Sequence, residues 1–180
     1  MFKHFVKWLV LVCALLLLFP ANASAEVFKA RGSGSVWTTA QDSNGDGEFA
    51  VIGVWQGNSS LMGKFTIHSR AENLPWDGAA FCSPTEILLT PFAAHLVFTA
   101  ANGHILSVQI ADGGPPGQIC YDIVDGSFWQ TANLQVVGGT GRFADSSGHM
   151  TCDLFGQGMF NPLGDYIGAF VEFECEGEVE

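Results

Sequence analysis

The C-terminal residues of the chain alternate between acidic and apolar side chains. One set of alternate positions carries only glutamate: Glu172, Glu174, Glu176, Glu178 and Glu180. The intervening positions include Val171, Phe173, Cys175 and Val179. A period of two is the period of a β-strand, whose successive side chains point to opposite faces. Because five like charges cannot be desolvated together, the glutamate face must be in water and Cys175 must point into a core.

Similar alternation, interrupted by glycine-rich turns, runs through most of the chain. Between 61 and 70, Phe65 and Ile67 fall on one face while polar residues fall on the other. Asn102-Gly103 separates two apolar runs and indicates a hairpin, because both residues accept the positive φ of a tight turn. The predicted strands are 27–39, 48–56, 61–71, 85–99, 104–111, 119–131, 133–138 with 147–156, and 166–178.

This pattern predicts an all-β domain of about eight antiparallel strands. The sequence shows neither a long helical periodicity nor an internal repeat. A closed barrel and a two-layer sandwich both bury one face of every strand, and composition does not choose between them. Closure into a barrel has the advantage of removing the exposed edges at which β-strands aggregate.

The N-terminal residues have the features of a secretory signal. Two lysines precede an apolar run at 8–19, and Ala23 and Ala25 are the small residues that a signal peptidase accepts. The apolar run is shorter than the roughly 20 residues that a membrane-spanning helix requires. We therefore predict that residues 1–25 form a signal peptide. The mature chain, 26–180, is then a single secreted or periplasmic domain without a membrane anchor.

Four cysteines remain after this cleavage, an even number that predicts two disulfides in an oxidising compartment. Cys152 lies on the apolar face of the segment 150–154, and its strand is expected to pair with the C-terminal strand. We therefore predict a Cys152–Cys175 bridge, and Cys82–Cys120 follows by elimination. Metal binding by these thiols is disfavoured because no Cys-x-x-Cys pair or closely spaced histidine accompanies them.

Charge excludes one class of partner. The chain has 18 acidic and 7 basic residues, and two of the basic residues belong to the predicted signal. A surface with so large an acidic excess repels phosphate backbones and anionic lipid, so nucleic acid is not expected as a partner. The same charge keeps an exported protein soluble.

The most specific string in the chain is Gly138-Gly139-Thr140-Gly141-Arg142-Phe143-Ala144-Asp145-Ser146-Ser147-Gly148. Its first six residues resemble the signature of the allene oxide cyclase and dirigent-like barrels, including exported bacterial proteins with such a barrel. The segments at 61–66 and 99–103 are similar to a strand and a hairpin of that family, and the likeness extends over roughly 48–178. This resemblance implies a small antiparallel, calycin-like barrel of eight strands.

The string also has a plain structural interpretation. Its glycines indicate positive φ or a close approach of two backbones. Arg142 is positioned to tie the turn to a neighbouring strand, and Phe143 to plug the barrel. A phosphate-binding loop requires a helix after the glycines, whereas the pattern here predicts a strand.

Asp42, Asn44 and Asp46 form a candidate calcium site. Oxygen ligands at alternate positions followed by Gly47 match the first half of a calcium-binding loop. The acid expected six residues after that glycine is absent, because position 53 is glycine. The alternative is a turn between strands, which uses the same residue types for their tolerance of left-handed conformations.

The histidines support no catalytic triad. His68, His104 and His149 are expected in solvent, whereas His95 stands among apolar residues and is a candidate for the interior. No nucleophile can be assigned to His95 from the sequence. A pair of carboxylates spaced for glycoside hydrolysis is also missing.

Two functional hypotheses remain. The first is a non-enzymatic barrel that binds a small apolar ligand or serves as a structural or interaction module. Aromatic residues then either line a cavity or fill the core; the tryptophans concerned are Trp37, Trp55, Trp76 and Trp129. The second, implied by the resemblance alone, is an isomerase or cyclase acting on a lipid-derived substrate. The family's active-site residues lie outside the matched string, so no catalytic residue is assigned.

The calcium hypothesis has a direct test. We favour the turn interpretation, and we therefore expect the same melting temperature and tryptophan fluorescence with calcium and with a chelator. A higher melting temperature in calcium, lost in the variant Asp42→Ala, would instead show that the loop binds the ion.

Overall fold

The computed structural model describes residues 25–39, 42, 45, 50–74, 78–111, 117–164 and 166–180. The predicted signal peptide lies outside these residues except for Ala25. The strands in the described part are β1 (Glu26–Thr38), β2 (Val51–Ser59), β3 (Gly63–Asn73), β4 (Phe81–Ser83), β5 (Glu86–Leu89), β6 (Pro91–Ala100), β7 (Ile105–Ile110), β8 (Gly117–Asp122), β9 (Ser127–Gly139), β10 (Gly148–Phe160) and β11 (Tyr166–Val179). One turn of 3-10 helix, Gly141–Phe143, joins β9 to β10. Nowhere in these ranges is there a helix with the length and hydropathy to span a bilayer.

Eight of the strands form a closed antiparallel ring. Around the ring the order is β1, β2, β3, β6, β7, β9, β10 and β11, and β11 pairs again with β1. Closure is completed by β10, which pairs with β11 on one edge and with β9 on the other. The prediction of an all-β antiparallel barrel is therefore confirmed.

The three remaining strands extend the barrel wall at one end. β5 leads directly into β6 and β8 follows β7, so each continues the line of a barrel strand. β5 pairs with β8, and β4 lies at the outer edge beside β5. One edge of β9 pairs with two strands in turn. The C-terminal half of β9 pairs with β7 and its N-terminal half pairs with β8. The wall is consequently taller on this side.

Three predicted strands are divided differently in the structure. The predicted strand 85–99 is interrupted at Thr90, between β5 and β6. The predicted strand 119–131 is divided by a turn, and the predicted pair 133–138 with 147–156 belongs to two full strands, β9 and β10. At the turn, the Asp122 carboxylate accepts hydrogen bonds from the backbone N–H groups of Val124 and Asp125. The bond from Val124 is the main reason that the pKa of Asp122 is lowered. Val124 is β-branched and suggested a continuous strand, yet it is exposed at the turn.

Large side chains fill the barrel at one end, which we call the packed end. Its largest fully buried members are Phe28, Phe98, Phe143, Leu106 and Met150. The Phe28 and Phe98 rings meet edge to face with centroids 5.8 Å apart. Phe65 adds a third ring, 5.3 Å from Phe98. These separations lie in the favourable range for aromatic pairs.

The glycine-rich string forms the connection from β9 to β10 at this end. Gly138, Gly141 and Gly148 have φ values of 113°, 63° and 133°, a region that other residues rarely occupy. Gly139 is required for a different reason, because a Cβ there would lie 1.9 Å from the carbonyl oxygen of Ile105. The glycines thus have the structural roles predicted for them.

Arg142 and Phe143 of the string secure the packed end. The Arg142 guanidinium donates to the Leu61 carbonyl and to the Glu26 carboxylate, at 3.3 and 2.7 Å. Phe143 is buried and closes the interior beneath it. The turn is therefore tied to the start of β1 and to the connection before β3.

Both disulfides join the cysteines that the sequence paired. Cys152 and Cys175 lie at facing positions of β10 and β11 and point into the barrel. Cys82 and Cys120 connect β4 to β8 and so bind the wall extension together. Two disulfides in one small domain indicate an oxidising environment.

Replacing Phe98 with alanine should destabilise the protein strongly. Phe98 is 0% exposed and contacts two other rings, so its removal leaves a cavity and should lower the free energy of unfolding by about 3–5 kcal/mol. Phe170→Ala is the matched control, because Phe170 is 62% exposed on β11 and should change stability by less than about 0.5 kcal/mol. Denaturant unfolding measures both values, and equal losses would contradict this account of the core.

Candidate functional site

The interior is open at the end opposite the packed end. A cavity of about 550 Å³ occupies this half of the barrel, and we call it the cup. Its wall includes inward-facing residues of β1, β2, β3, β6, β9, β10 and β11 and of the extension strands β5 and β8. Most of these side chains are apolar, among them Val36, Ile67, Ile87, Leu89, Leu96, Ile119, Leu134, Leu154 and Val171.

Small residues at inward positions keep the cup open. Ala71, Ala94 and Ala132 face it from β3, β6 and β9, where the packed end has phenylalanine or leucine. Gly53 and Gly156 also face inward, and a Cβ at either would lie within 2.3 Å of the Trp55 or Phe128 ring. The aromatic rings of the wall therefore lie over glycine instead of projecting across the cavity.

The floor of the cup is a fixed aromatic layer. Trp55 is 6% exposed, and its indole N–H donates to the Ser69 hydroxyl at 2.9 Å. The indole also packs edge-on against Phe173, with centroids 5.4 Å apart. The Cys152–Cys175 disulfide contributes to the same surface. Because the indole N–H is satisfied and the disulfide is covalent, the floor is preorganised.

A few uncharged polar groups interrupt the apolar wall. They belong to Thr38, Ser69, Asn73, Tyr121, Gln130 and Tyr166. The Gln130 amide lies between Ile119 and Leu154 on the paired strands, and no hydrogen bond to it is found among the described residues. The Tyr121 hydroxyl is buried, and it also has no hydrogen-bond partner in that part of the chain. Both groups therefore have unused hydrogen-bonding capacity, which is uncommon for a buried group such as the Tyr121 hydroxyl.

Burial shifts the pKa of both tyrosines upward. Desolvation, followed by the influence of Tyr121, raises the pKa of Tyr166 to about 12. Desolvation is also the largest cause of the raised pKa of Tyr121, and the Asp125 and Asp122 carboxylates add to it. Both phenols consequently remain uncharged at neutral pH.

The residues singled out from the sequence fall in several places. The string from Gly138 to Phe143 lies at the packed end, away from the cup. Of the tryptophans, Trp55 lines the cup, Trp37 is on the outer surface, Trp129 does not line the cup, and Trp76 is outside the described residues.

The candidate calcium loop is only partly described. Asn44 and Asp46 lie outside the described residues. The Asp42 carboxylate accepts a hydrogen bond of 2.6 Å from the backbone N–H of Gly45, which has a φ of 77°. No group of three or more metal-ligating side chains occurs in the described ranges. Calcium binding remains a prediction.

The placement predicted for His95 is wrong. Alternation along β6 directs Leu96 and Phe98 inward, so His95 is exposed, and its Nε2 lies 2.7 Å from the Ser107 hydroxyl. His104 also differs from expectation, because its Nδ1 is buried without a partner among the described residues. Its ring lies under the turn at Gly141, where a Cβ would be 2.5 Å away.

Sequence reasoning missed the polar residues of the cup. A signal was present, since Gln130 shares the inward face of β9 with Phe128 and Ala132. A polar residue on an apolar face is either paired or functional. The amide of Gln130 is half-buried and has no partner in the described ranges, so it is available to another molecule.

The raised tyrosine pKa values predict how stability depends on pH. Between about pH 10 and about pH 12, an unfolded chain loses tyrosine protons that the folded chain retains, so unfolding becomes easier as pH rises. Tyr166→Phe should reduce the loss of unfolding free energy with rising pH. Denaturant unfolding between about pH 10 and about pH 12 measures this loss. Absorbance titration of the folded wild-type protein is a second test. Ionisation of both tyrosines near pH 10, the usual value for tyrosine, would contradict the prediction.

Comparison of the chain with protein-family models, with curated proteins and with solved structures found no match.

Proposed function

We propose that this protein is an exported, disulfide-stabilised barrel that binds a small apolar ligand in the cup. The observation that carries the proposal is the contrast between the two ends of the barrel. One end is filled by phenylalanines, whereas the other holds a cavity of about 550 Å³ with an apolar wall. A purely structural barrel gains stability by filling its interior, so an apolar cavity maintained by alanine and glycine favours binding.

The construction of the cup suits a preformed binding site. Its floor is held by the Trp55–Ser69 hydrogen bond and by the Cys152–Cys175 disulfide. Preorganisation lowers the entropy lost on binding, and burial of apolar ligand surface contributes about 25 cal/mol per Å². The few polar groups of the wall would orient the ligand.

Binding is preferred to catalysis because of the chemistry of the described wall. The groups that most often transfer protons in enzymes are histidine, carboxylates and lysine. The described residues that line the cup include none of these. Its tyrosines have raised pKa values, so neither supplies a phenolate base at neutral pH. The isomerase or cyclase hypothesis has no residue in this wall to support it.

We also propose that this chain is related to the allene oxide cyclase and dirigent-like barrels. It is supported by the string from Gly138 to Phe143 and by the eight-stranded antiparallel ring. Export is supported by the predicted signal peptide and by the two disulfides.

Filling the cup should weaken ligand binding. In Ala94→Phe a ring replaces a methyl group on the inner face of β6, and we expect the affinity for a neutral apolar dye, N-phenylnaphthylamine, to fall at least about tenfold because the dye's space is occupied. Fluorescence titration measures this affinity. Ala93→Phe is the matched control, since Ala93 is exposed on the same strand and should leave dye binding unchanged.

Two results would contradict the proposal. One is a wild-type protein that does not bind the dye. The other is equal binding by Ala94→Phe and Ala93→Phe, which would place the dye outside the cup.

A further inference from the structure

We infer that the cup selects an uncharged ligand, whose hydroxyl or carbonyl group hydrogen-bonds to Gln130, and rejects carboxylate amphiphiles such as fatty-acid anions. This inference rests on the proposed binding function and adds the chemical class of the ligand. It follows from where the charges of the chain lie.

No cation lines the cup in the part of the chain that is described. The five basic side chains of the predicted mature protein are all exposed: Lys29, Arg31, Lys64, Arg70 and Arg142. Three of them lie close to carboxylates outside the cup, namely Lys29 to Glu176, Arg142 to Glu26 and Arg70 to the buried Glu72. None of the five is among the cup-lining residues.

The segments outside the described residues add no cation either. Beyond residue 25, the charged residues in those segments are all acidic: Asp46, Glu48, Asp77, Asp112 and Asp165. Among the histidines, His68, His95 and His149 are exposed, and His104 lies beside the packed-end turn at Gly141. The predicted mature chain therefore has no basic group positioned to neutralise an anion in the cup.

An anion in the cup would therefore be left without a partner. Transfer of an unpaired carboxylate from water to an apolar site is strongly unfavourable. Near Tyr121 the potential is also negative, since Asp122 and Asp125 lie close enough to disfavour ionisation of its phenol. A buried alkylammonium group would find no carboxylate among the described cup-lining residues. Both signs of charge are thus disfavoured.

Gln130 supplies what an uncharged ligand needs. Its amide offers donors and an acceptor on the inner face of β9, and its cross-strand neighbours Ile119 and Leu154 are apolar. The amide is half-buried and has no protein partner among the residues that the structure describes, so it can hydrogen-bond to the hydroxyl or carbonyl group of a ligand that enters the cup. The Ser69 hydroxyl, which also lines the cup, is already bonded to Trp55.

Displacement of bound N-phenylnaphthylamine from the mature wild-type protein tests the preference for an uncharged ligand. Decanol, decanoate and decylammonium have the same chain length and differ in charge, and each is titrated at neutral pH below its micelle concentration. We expect decanol to displace the dye at a concentration at least about tenfold lower than either ion requires, a difference of about 1.4 kcal/mol.

Variants on one strand test the role of Gln130. Gln130→Leu should weaken decanol binding about 2- to 10-fold, the usual effect of losing one neutral hydrogen bond. Gln135→Leu is the matched control, because Gln135 is on the same strand and faces solvent. Its decanol affinity should equal that of the wild type.

The outcomes separate this inference from the function on which it rests. Failure of the dye and of all three decyl compounds to bind would overturn the proposed function and the inference with it. Binding of the dye with equal or tighter binding of decanoate than of decanol would overturn the inference alone. So would an unchanged decanol affinity in Gln130→Leu.

Discussion

Pairing of β10 with both β9 and β11 is the constraint on which the rest of the structure depends. Without it the ring would be an open sheet with two unpaired edges. With it, every inward side chain of eight strands faces the same enclosed volume. The size of the side chain at each inward position then decides whether that part of the barrel is solid or hollow.

The two ends of the barrel use that volume in opposite ways. At the packed end, Phe28, Phe98 and Phe143 fill the space, and the glycine-rich turn brings Phe143 inward. At the other end, Ala94 and Ala132 leave the cup open. A ring contact between Trp55 and Phe173 separates the two regions, so the floor of the cup is also the upper surface of the core.

Short-range sequence patterns predicted which face of a strand a cysteine occupies and where a turn lies, because both depend mainly on neighbouring residues. Alternation placed Cys175 and Cys152 on inward faces, and the turn at Gly103 followed from its residue types. The same reasoning was wrong for His95, because apolar neighbours do not reveal which face of a strand carries a given residue. It was also wrong at Val124, where hydrogen bonds to a carboxylate outweighed β propensity.

The sequence by itself determined that the chain forms antiparallel strands with one apolar face and two disulfides, since those features follow from a period of two and from the placement of four cysteines. The cup was decided only by the tertiary structure. Ala94 and Gln130 come from strands that do not pair with each other, and closure of the ring places both on one cavity wall. The volume left open inside the barrel depends on the sizes of inward side chains from several separate strands, and no local sequence pattern contains that information.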